Sequence, residues 1–189
     1  MSSPAREIAN PRTGQRMHFL LTAADTDGAL LRIETHNPPN AIAEPMHVHP
    51  RQETRAEVVS GTLHFVVDGR ERRLAEGDTI TIPAGVPHRF WNDGDTEAVA
   101  IQEARPALRL AEFFETYFQL AADGDMDEHG RPSLLRSAVL GPEFADEIRL
   151  VTPPWPLQRI AYTLLAPIAW LRGYRHQRVE HQAQAARRT

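Results

Sequence analysis

The sequence contains no cysteine. This absence excludes a disulfide framework, a thiolate nucleophile and a thiolate metal ligand, so nitrogen and oxygen atoms would have to hold any bound metal. Basic residues are not in excess, because 21 Lys and Arg stand against 25 Asp and Glu and the net charge is -4. Such a balance gives no support to nucleic-acid binding, which usually requires a positive field.

Long apolar runs are also absent. The most apolar segment, residues 157–171, has about 15 residues, whereas a helix that spans a membrane needs roughly 20. The first residues lack a charged start followed by an apolar core, so no secretory signal is visible and we expect a cytoplasmic location. Nearby arginines and aromatic residues leave interfacial membrane contact as the minor alternative to packing within the protein.

Short strand patterns fill the first half of the chain. They lie at residues 17–21, 29–34, 62–67, 70–74, 79–82 and 98–102. Asp68-Gly69 separates two of them and is typical of a tight hairpin, because glycine tolerates a positive φ. Several short antiparallel strands at this spacing predict a sandwich or a closed barrel. We assign this barrel domain to residues 1–105.

The pattern becomes helical after Arg105-Pro106. Apolar and aromatic residues recur at three- and four-residue steps over residues 110–121, which predicts an amphipathic helix with an aromatic face. Asp123-Gly124-Asp125 is typical of a helix end. We expect the aromatic face to pack on the barrel or on a partner subunit, and a lid or ligand platform is the alternative.

Further helices are predicted beyond that point. Residues 133–149 favour one or two short helices, with Gly141-Pro142 as a break between them. The apolar segment after Pro153-Pro154 is expected to pack on the barrel or in a dimer. Residues 106–189 are therefore predicted to form a helical C-terminal extension and not a second catalytic domain.

Three histidines stand where a metal site would need them. His47 and His49 are two residues apart, so they project from the same face of a strand. His88 follows a Pro-x-Gly turn, and three neutral imidazoles that converge inside a small barrel would bind a divalent transition metal. Imidazole suits Fe, Mn, Ni, Co and Zn alike, so the metal stays open. His64 also lies in a strand pattern but has no such partner residues.

The segment around His88 resembles the second sequence motif of the cupin superfamily. That motif is occupied by Gly77, Pro83, Gly85, His88 and Asn92. The first motif is matched in part by His47, His49 and Gly61. The resemblance implies a mainly β chain, with a double-stranded β-helix or jelly-roll barrel followed by the α-helical extension. It also implies a metal held by the three histidines.

The carboxylate of the first motif is displaced in this chain. Counting back from Gly61, the position where the family places its ligating Glu holds Thr54, and Glu53 stands one residue away. A shift of one residue in a strand turns a side chain to the opposite face, so a bulge or loop would have to re-aim Glu53. The resemblance implies that Glu53 is a fourth metal ligand or a nearby catalytic base.

Two classes of function fit these residues. The first is a metal-dependent oxygenase, of the dioxygenase kind, acting on a small organic molecule, because three facial histidines leave open positions on Fe(II). A metal-dependent isomerase is second among enzymes. The other class is a non-catalytic module that binds a sugar-like or apolar ligand, which Thr54 in place of the carboxylate favours. The expected partners are a small molecule and a second copy of the chain.

Overall fold

The computed structural model describes residues 6–39, 44–127 and 130–174, so the end of the predicted extension lies outside the described residues. The strands in these ranges are β1 (Arg6–Ala9), β2 (Arg16–Leu21), β3 (Leu31–Asn37), β4 (His47–Val48), β5 (Glu53–Ser60), β6 (Thr62–Val67), β7 (Arg70–Ala75), β8 (Thr79–Ile82), β9 (His88–Trp91), β10 (Ala98–Arg105) and β11 (Arg149–Leu150). The helices are α1 (Leu110–Ala122), α2 (Leu134–Glu143) and α3 (Trp155–Leu171).

The strands form two antiparallel sheets. One has the order β1-β2-β3-β10-β5-β8 and the other the order β11-β4-β9-β6-β7. The main apolar cluster takes side chains from both sheets, among them Val58 and Ala100 from the first and Leu63 and Phe65 from the second. The sheets therefore pack face to face, and the prediction of a jelly-roll barrel followed by helices is confirmed.

The aromatic helix α1 packs on the barrel itself. A second apolar cluster joins Met17 and Phe19 of β2 to Leu110 and Phe118 of α1. Gln52, which is fully buried, donates its side-chain amide to the backbone carbonyls just before α1. The barrel therefore buries the apolar face that the sequence period predicts for this helix.

The predicted break at Gly141-Pro142 is wrong, because α2 continues through both residues to Glu143. Pro142 lies in the last turn of α2, where the missing amide hydrogen costs the helix only one bond. Gly141 faces α3, and a Cβ atom there would lie 2.4 Å from Cε2 of Tyr162. The glycine thus allows the close approach of α2 and α3.

The extension also contributes a strand to the barrel. In β11, Arg149 and Leu150 are the register partners of Val48 and His47 in β4. The next residue, Val151, donates its amide hydrogen to the carbonyl oxygen of Met46 at 3.0 Å. The sheet edge beside the predicted metal site is therefore completed from a distant part of the chain.

Candidate metal centre

Two neighbouring strands bring the three histidines together. His47 of β4 and His88 of β9 are direct register partners, and His49 follows β4. The ring centroid of His47 lies 4.5 Å from that of His88, and each of these lies 5.2 Å from that of His49. All three side chains are buried, and one nitrogen of each lies within 4.8 Å of the others.

Each ring is fixed by a backbone carbonyl. The Nδ1 atom of His47 lies 2.9 Å from the oxygen of Pro45, that of His49 lies 2.6 Å from the oxygen of Glu147, and that of His88 lies 2.9 Å from the oxygen of Val86. A carbonyl oxygen only accepts, so Nδ1 carries the hydrogen in each ring. In the neutral ring Nε2 then keeps its lone pair, which is the form that binds a metal.

The environment also keeps the rings neutral. Burial lowers the pKa of His47 well below its usual value, and the charges that His88 and His49 would carry act in the same direction. Burial and then the neighbouring His88 lower the pKa of His49 to about 4. Burial likewise lowers the pKa of His88. At neutral pH the site therefore offers uncharged nitrogen donors and no bound protons to displace.

The orientation of the His49 ring depends on the helical extension. Glu147, whose carbonyl accepts from His49, lies 98 residues further along the chain. Its buried side chain turns the other way and accepts the amide hydrogen of Arg109 at 3.2 Å, next to the start of α1. Glu147 thus ties a barrel histidine to the first helix of the extension, a role that the sequence pattern did not signal.

Glu53 and Thr54 point to opposite sides of β5. Glu53 is exposed and pairs in register with Arg105, whereas Thr54 pairs with Ala104 and Ile82, which are both buried. Thr54 lines the cavity beside the histidines. The register shift between β5 and β10 lies at the far end of the pair, so no bulge turns Glu53 inward. The role predicted for Glu53 therefore needs a rearrangement of this strand.

A largely apolar cavity of about 150 Å³ opens beside the histidines. Its apolar walls come from both sheets and from α1, and they include Met17, Leu31, Ile33, Phe65, Ile82, Phe90, Phe113, Phe114, Tyr117 and Phe118. A largely apolar cavity of this volume holds a ligand about as large as benzene. The aromatic face of α1 therefore packs on the barrel and at the same time forms a wall of the cavity.

The cavity contains a carboxyl group that the sequence analysis missed. Glu44 lines it and donates its backbone amide hydrogen to the carbonyl oxygen of Phe90, two residues after His88. Two residues of a strand span roughly 7 Å, so the backbone of Glu44 lies about that far along β9 from the histidine pair. Glu44 occupies no motif position and has no periodic partner, so no local pattern marked it.

Burial dominates the chemistry of this carboxyl group. It raises the pKa of Glu44 to about 7, against the lowering effect of a hydrogen bond from Gln15. Burial, followed by the charges of Glu44 and Asp127, raises the pKa of Tyr117 to about 12. The Tyr117 hydroxyl donates to the carbonyl oxygen of Gly130 at 2.6 Å. Glu44 can therefore gain and lose a proton near neutral pH while Tyr117 stays protonated.

A second group with metal-ligating side chains lies outside the cavity. One ligand atom each of His18, Glu34 and His36 lies within 4.8 Å of the others. These atoms already have partners, since His36 contacts Glu34 at 2.9 Å and Glu97 at 3.2 Å. Burial acts to lower the pKa of His36, but the hydrogen bonds to the two carboxylates outweigh it and raise the pKa. These side chains therefore form an ion-pair network.

Comparison with known proteins places the same residues in a family context. The sequence model of the cupin domain matches residues 34–102, which include all three histidines. Protein SchB of Streptomyces halstedii is 33% identical over 91 residues, which cover 47% of this chain and 64% of SchB. Polyketide synthase CurC of Streptomyces cyaneus is 33% identical over 100 residues, which cover 51% of this chain and 63% of CurC.

The chain thus spans less than two thirds of the length of either relative. Among solved structures, an RmlC-like cupin from Shewanella frigidimarina has 23% sequence identity and a TM-score of 0.47. That comparison covers 57% of this chain and 88% of the other. The region that the cupin-domain model matches ends before α1, so that match bears on the barrel and not on the helical extension.

Proposed function

We propose that this chain, whose residues 34–102 match the cupin-domain model, holds one divalent transition metal at His47, His49 and His88 and acts there on a small, largely apolar molecule. The proposal rests mainly on a state that the three histidine rings share. Each is buried, neutral and anchored through Nδ1, so each leaves Nε2 available as a donor.

The donor set fits such a metal. Three imidazole nitrogens within 4.8 Å of one another suit Fe, Mn, Ni, Co and Zn, and they leave coordination positions open. When bound, the metal would supply a Lewis acid or a redox centre whose positive charge the uncharged ligands do not cancel. Thr54 adds no charge on the inward face of β5, in the position where a carboxylate would do so.

The remaining residues of the cavity would bind and orient the substrate. The aromatic side chains of α1 and the apolar side chains of both sheets exclude water and contact the apolar body of the ligand. Glu44 would donate or accept a proton at a substrate oxygen or carbon, since its pKa of about 7 suits both directions near neutral pH.

Among reaction classes we propose a metal-dependent oxygenase first. Three histidines with no carboxylate among them, next to a largely apolar cavity, support oxygen chemistry on a small organic molecule. The position of Glu44 supports a second candidate, an isomerase in which this carboxyl group moves a proton. The name of the Streptomyces cyaneus relative, polyketide synthase, supports a polyketide-derived compound as the ligand.

A reconstitution experiment separates these functions. Full-length protein is loaded in turn with Fe(II), Mn(II), Ni(II), Co(II) and Zn(II) and mixed with small aromatic and polyketide-derived compounds. Oxygen uptake and loss of each compound are measured, and His49→Ala serves as the matched protein without a complete site.

Each outcome of this experiment assigns a class. Consumption of a compound together with oxygen, with metal present and lost in His49→Ala, is the expected result. Consumption without oxygen uptake would assign the isomerase. Saturable binding of a compound with no turnover in any metal form would contradict both enzyme candidates and assign a binding module.

A further inference from the structure

Gln52 is a buried polar side chain close to one of the three histidines in the chain. It lies three residues after His49 and directly before β5, and it is fully buried. Continuing the alternation of β5 by one residue puts Gln52 on the side of Thr54 and opposite to Glu53. Burial of an amide is unfavourable unless hydrogen bonds compensate for the lost water, so the partners of this side chain reveal its role.

Only the nitrogen of this amide has normal hydrogen-bond partners. Nε2 of Gln52 donates to the carbonyl oxygens of Pro106 at 2.9 Å and Ala107 at 3.0 Å, which identifies the nitrogen end of the amide. The oxygen Oε1 is enclosed and has no hydrogen bond of normal geometry within the described residues. The two bonds of the nitrogen therefore hold the oxygen at a position that hydrogen bonding alone does not favour.

The group on which this oxygen acts is the ring of His49. Burial and then His88 lower the pKa of His49, and the hydrogen bonds to Glu147 and then Gln52 act in the opposite direction. An amide can raise the pKa of an imidazole only through its oxygen, because the oxygen is its acceptor. The contact with Glu147 is short, at 2.6 Å, whereas the contact with Gln52 lacks the geometry of a standard hydrogen bond. The ring therefore has one strong and one weak acceptor.

The two acceptors restrict different motions of the ring. The bond at Nδ1 of His49 fixes one atom, but the ring can still turn about the line from Nδ1 to the carbonyl oxygen of Glu147. A second polar group beside the ring opposes that rotation, so Nε2 keeps a single direction. Both acceptors are also tied to residues 106–109, Gln52 through its nitrogen and Glu147 through its carboxylate. The start of the helical extension therefore sets the position of both.

We propose that Gln52 is a positioning residue of the metal centre. Its oxygen limits the rotation of the His49 ring, and its nitrogen sets where that oxygen lies by binding residues 106 and 107. Loss of an outer partner of a metal-binding histidine lowers metal affinity by about tenfold to a hundredfold. The effect on affinity rests on the proposed function, whereas the effect on the ring holds in the metal-free protein. The two effects can therefore be measured separately.

The substitution Gln52→Met tests this proposal in the full-length protein, because methionine is about as long as glutamine but has no amide oxygen. The matched control is Gln158→Met. Gln158 is also a buried glutamine, and its nitrogen also donates to two backbone carbonyls, those of Leu150 and Pro153. A second variant, Gln52→Asn, keeps the amide but shortens the side chain by one methylene. The NMR signals of the His49 ring are recorded in metal-free protein, and the affinity for Co(II) is measured by titration.

Both Gln52 variants are expected to shift and broaden the His49 ring signals and to lower the affinity for Co(II) by about tenfold to a hundredfold. Gln158→Met should leave both properties as in the parent protein. Ring signals that match the parent in both Gln52 variants overturn the proposal. Weaker Co(II) binding with unchanged ring signals also overturns it, since Gln52 would then be a direct ligand. An equal effect of Gln158→Met does the same, because it would indicate a general effect of the extension.

Failure of the proposed function has a different result. A parent protein that binds no Co(II) would contradict the proposed metal centre. The His49 ring signals of the metal-free variants would still decide whether Gln52 positions this ring.

Discussion

The substitution Glu44→Gln removes a group whose ionisation the cavity opposes. Burial raises the pKa of Glu44 from an ordinary 4.5 to about 7. The folded state therefore binds this proton more tightly than the unfolded chain does, and the protein loses stability as the pH rises. The loss begins above about pH 4.5 and is complete somewhat above about pH 7.

The difference between these two pKa values sets the size of the effect. A pKa raised from 4.5 to about 7 corresponds to about 3 kcal/mol once the carboxylate is fully charged. Glu44 keeps partial contact with solvent, so we expect about 2 to 3 kcal/mol. Glutamine keeps the size of the side chain and can still accept from Gln15. Glu44→Gln should thus be more stable than the parent at about pH 8.5 and nearly equal to it at about pH 4.5.

Urea unfolding of chelator-treated protein at the two pH values measures this difference. Tyr117, the titrating side chain of α1 in the same cavity, has a pKa of about 12 and stays neutral over the whole range. The control Glu76→Gln removes an exposed carboxyl group from a turn and should show no such pH-dependent gain. If Glu44→Gln changes the free energy of unfolding equally at both pH values, the reasoning on this carboxyl group is refuted.

Three further tests concern the site and the fold. Thr54→Glu should raise metal affinity by about tenfold or more in a calorimetric titration, because it adds a charged oxygen on the inward face of β5. Glu53→Ala should leave the affinity unchanged. Loss of metal binding in Glu53→Ala, with no gain in Thr54→Glu, would instead make Glu53 the native ligand. A chain that ends after Arg105 should aggregate or lose its metal, because it lacks β11 and the Glu147 carbonyl that accepts from His49. A product that is soluble in gel filtration and keeps its metal would argue against this. Gly61→Ala should lower the free energy of unfolding by about 2 to 3 kcal/mol, because φ is +77° and the added Cβ atom would lie 2.9 Å from backbone atoms. Gly69→Ala, which has open space around it, should lower it by about 1 kcal/mol. Equal losses of the two variants on urea unfolding would contradict the packing argument.

The features that the sequence predicts well depend on contacts within a few residues. Asp68 and Gly69 both adopt positive φ and join β6 to β7 as the hairpin signal indicates. The two-residue spacing of His47 and His49 puts both rings on one side of a single chain segment. The strands that carry these signals lie close to their predicted bounds, because alternation along a strand is a local property.

Several features that the sequence pattern did not predict depend on contacts between distant segments. Glu147 reaches His49 across 98 residues, and β11 has only two residues, too few for a periodic pattern. Glu44 gains its raised pKa from the cavity that α1 closes over the barrel. Local sequence alone predicts a helix break at Gly141, whereas the close packing of α3 against α2 explains why a glycine lies there.

Metal content is the most direct test of the proposed centre. Elemental analysis of full-length protein purified without chelator should give close to one equivalent of transition metal per chain. Each of His47→Ala, His49→Ala and His88→Ala should remove most of it, while His64→Ala and His36→Ala should retain it, since His64 lies outside both groups and His36 belongs to the surface ion-pair network. Unchanged metal in all three cavity variants, or its loss in His36→Ala alone, would contradict the account.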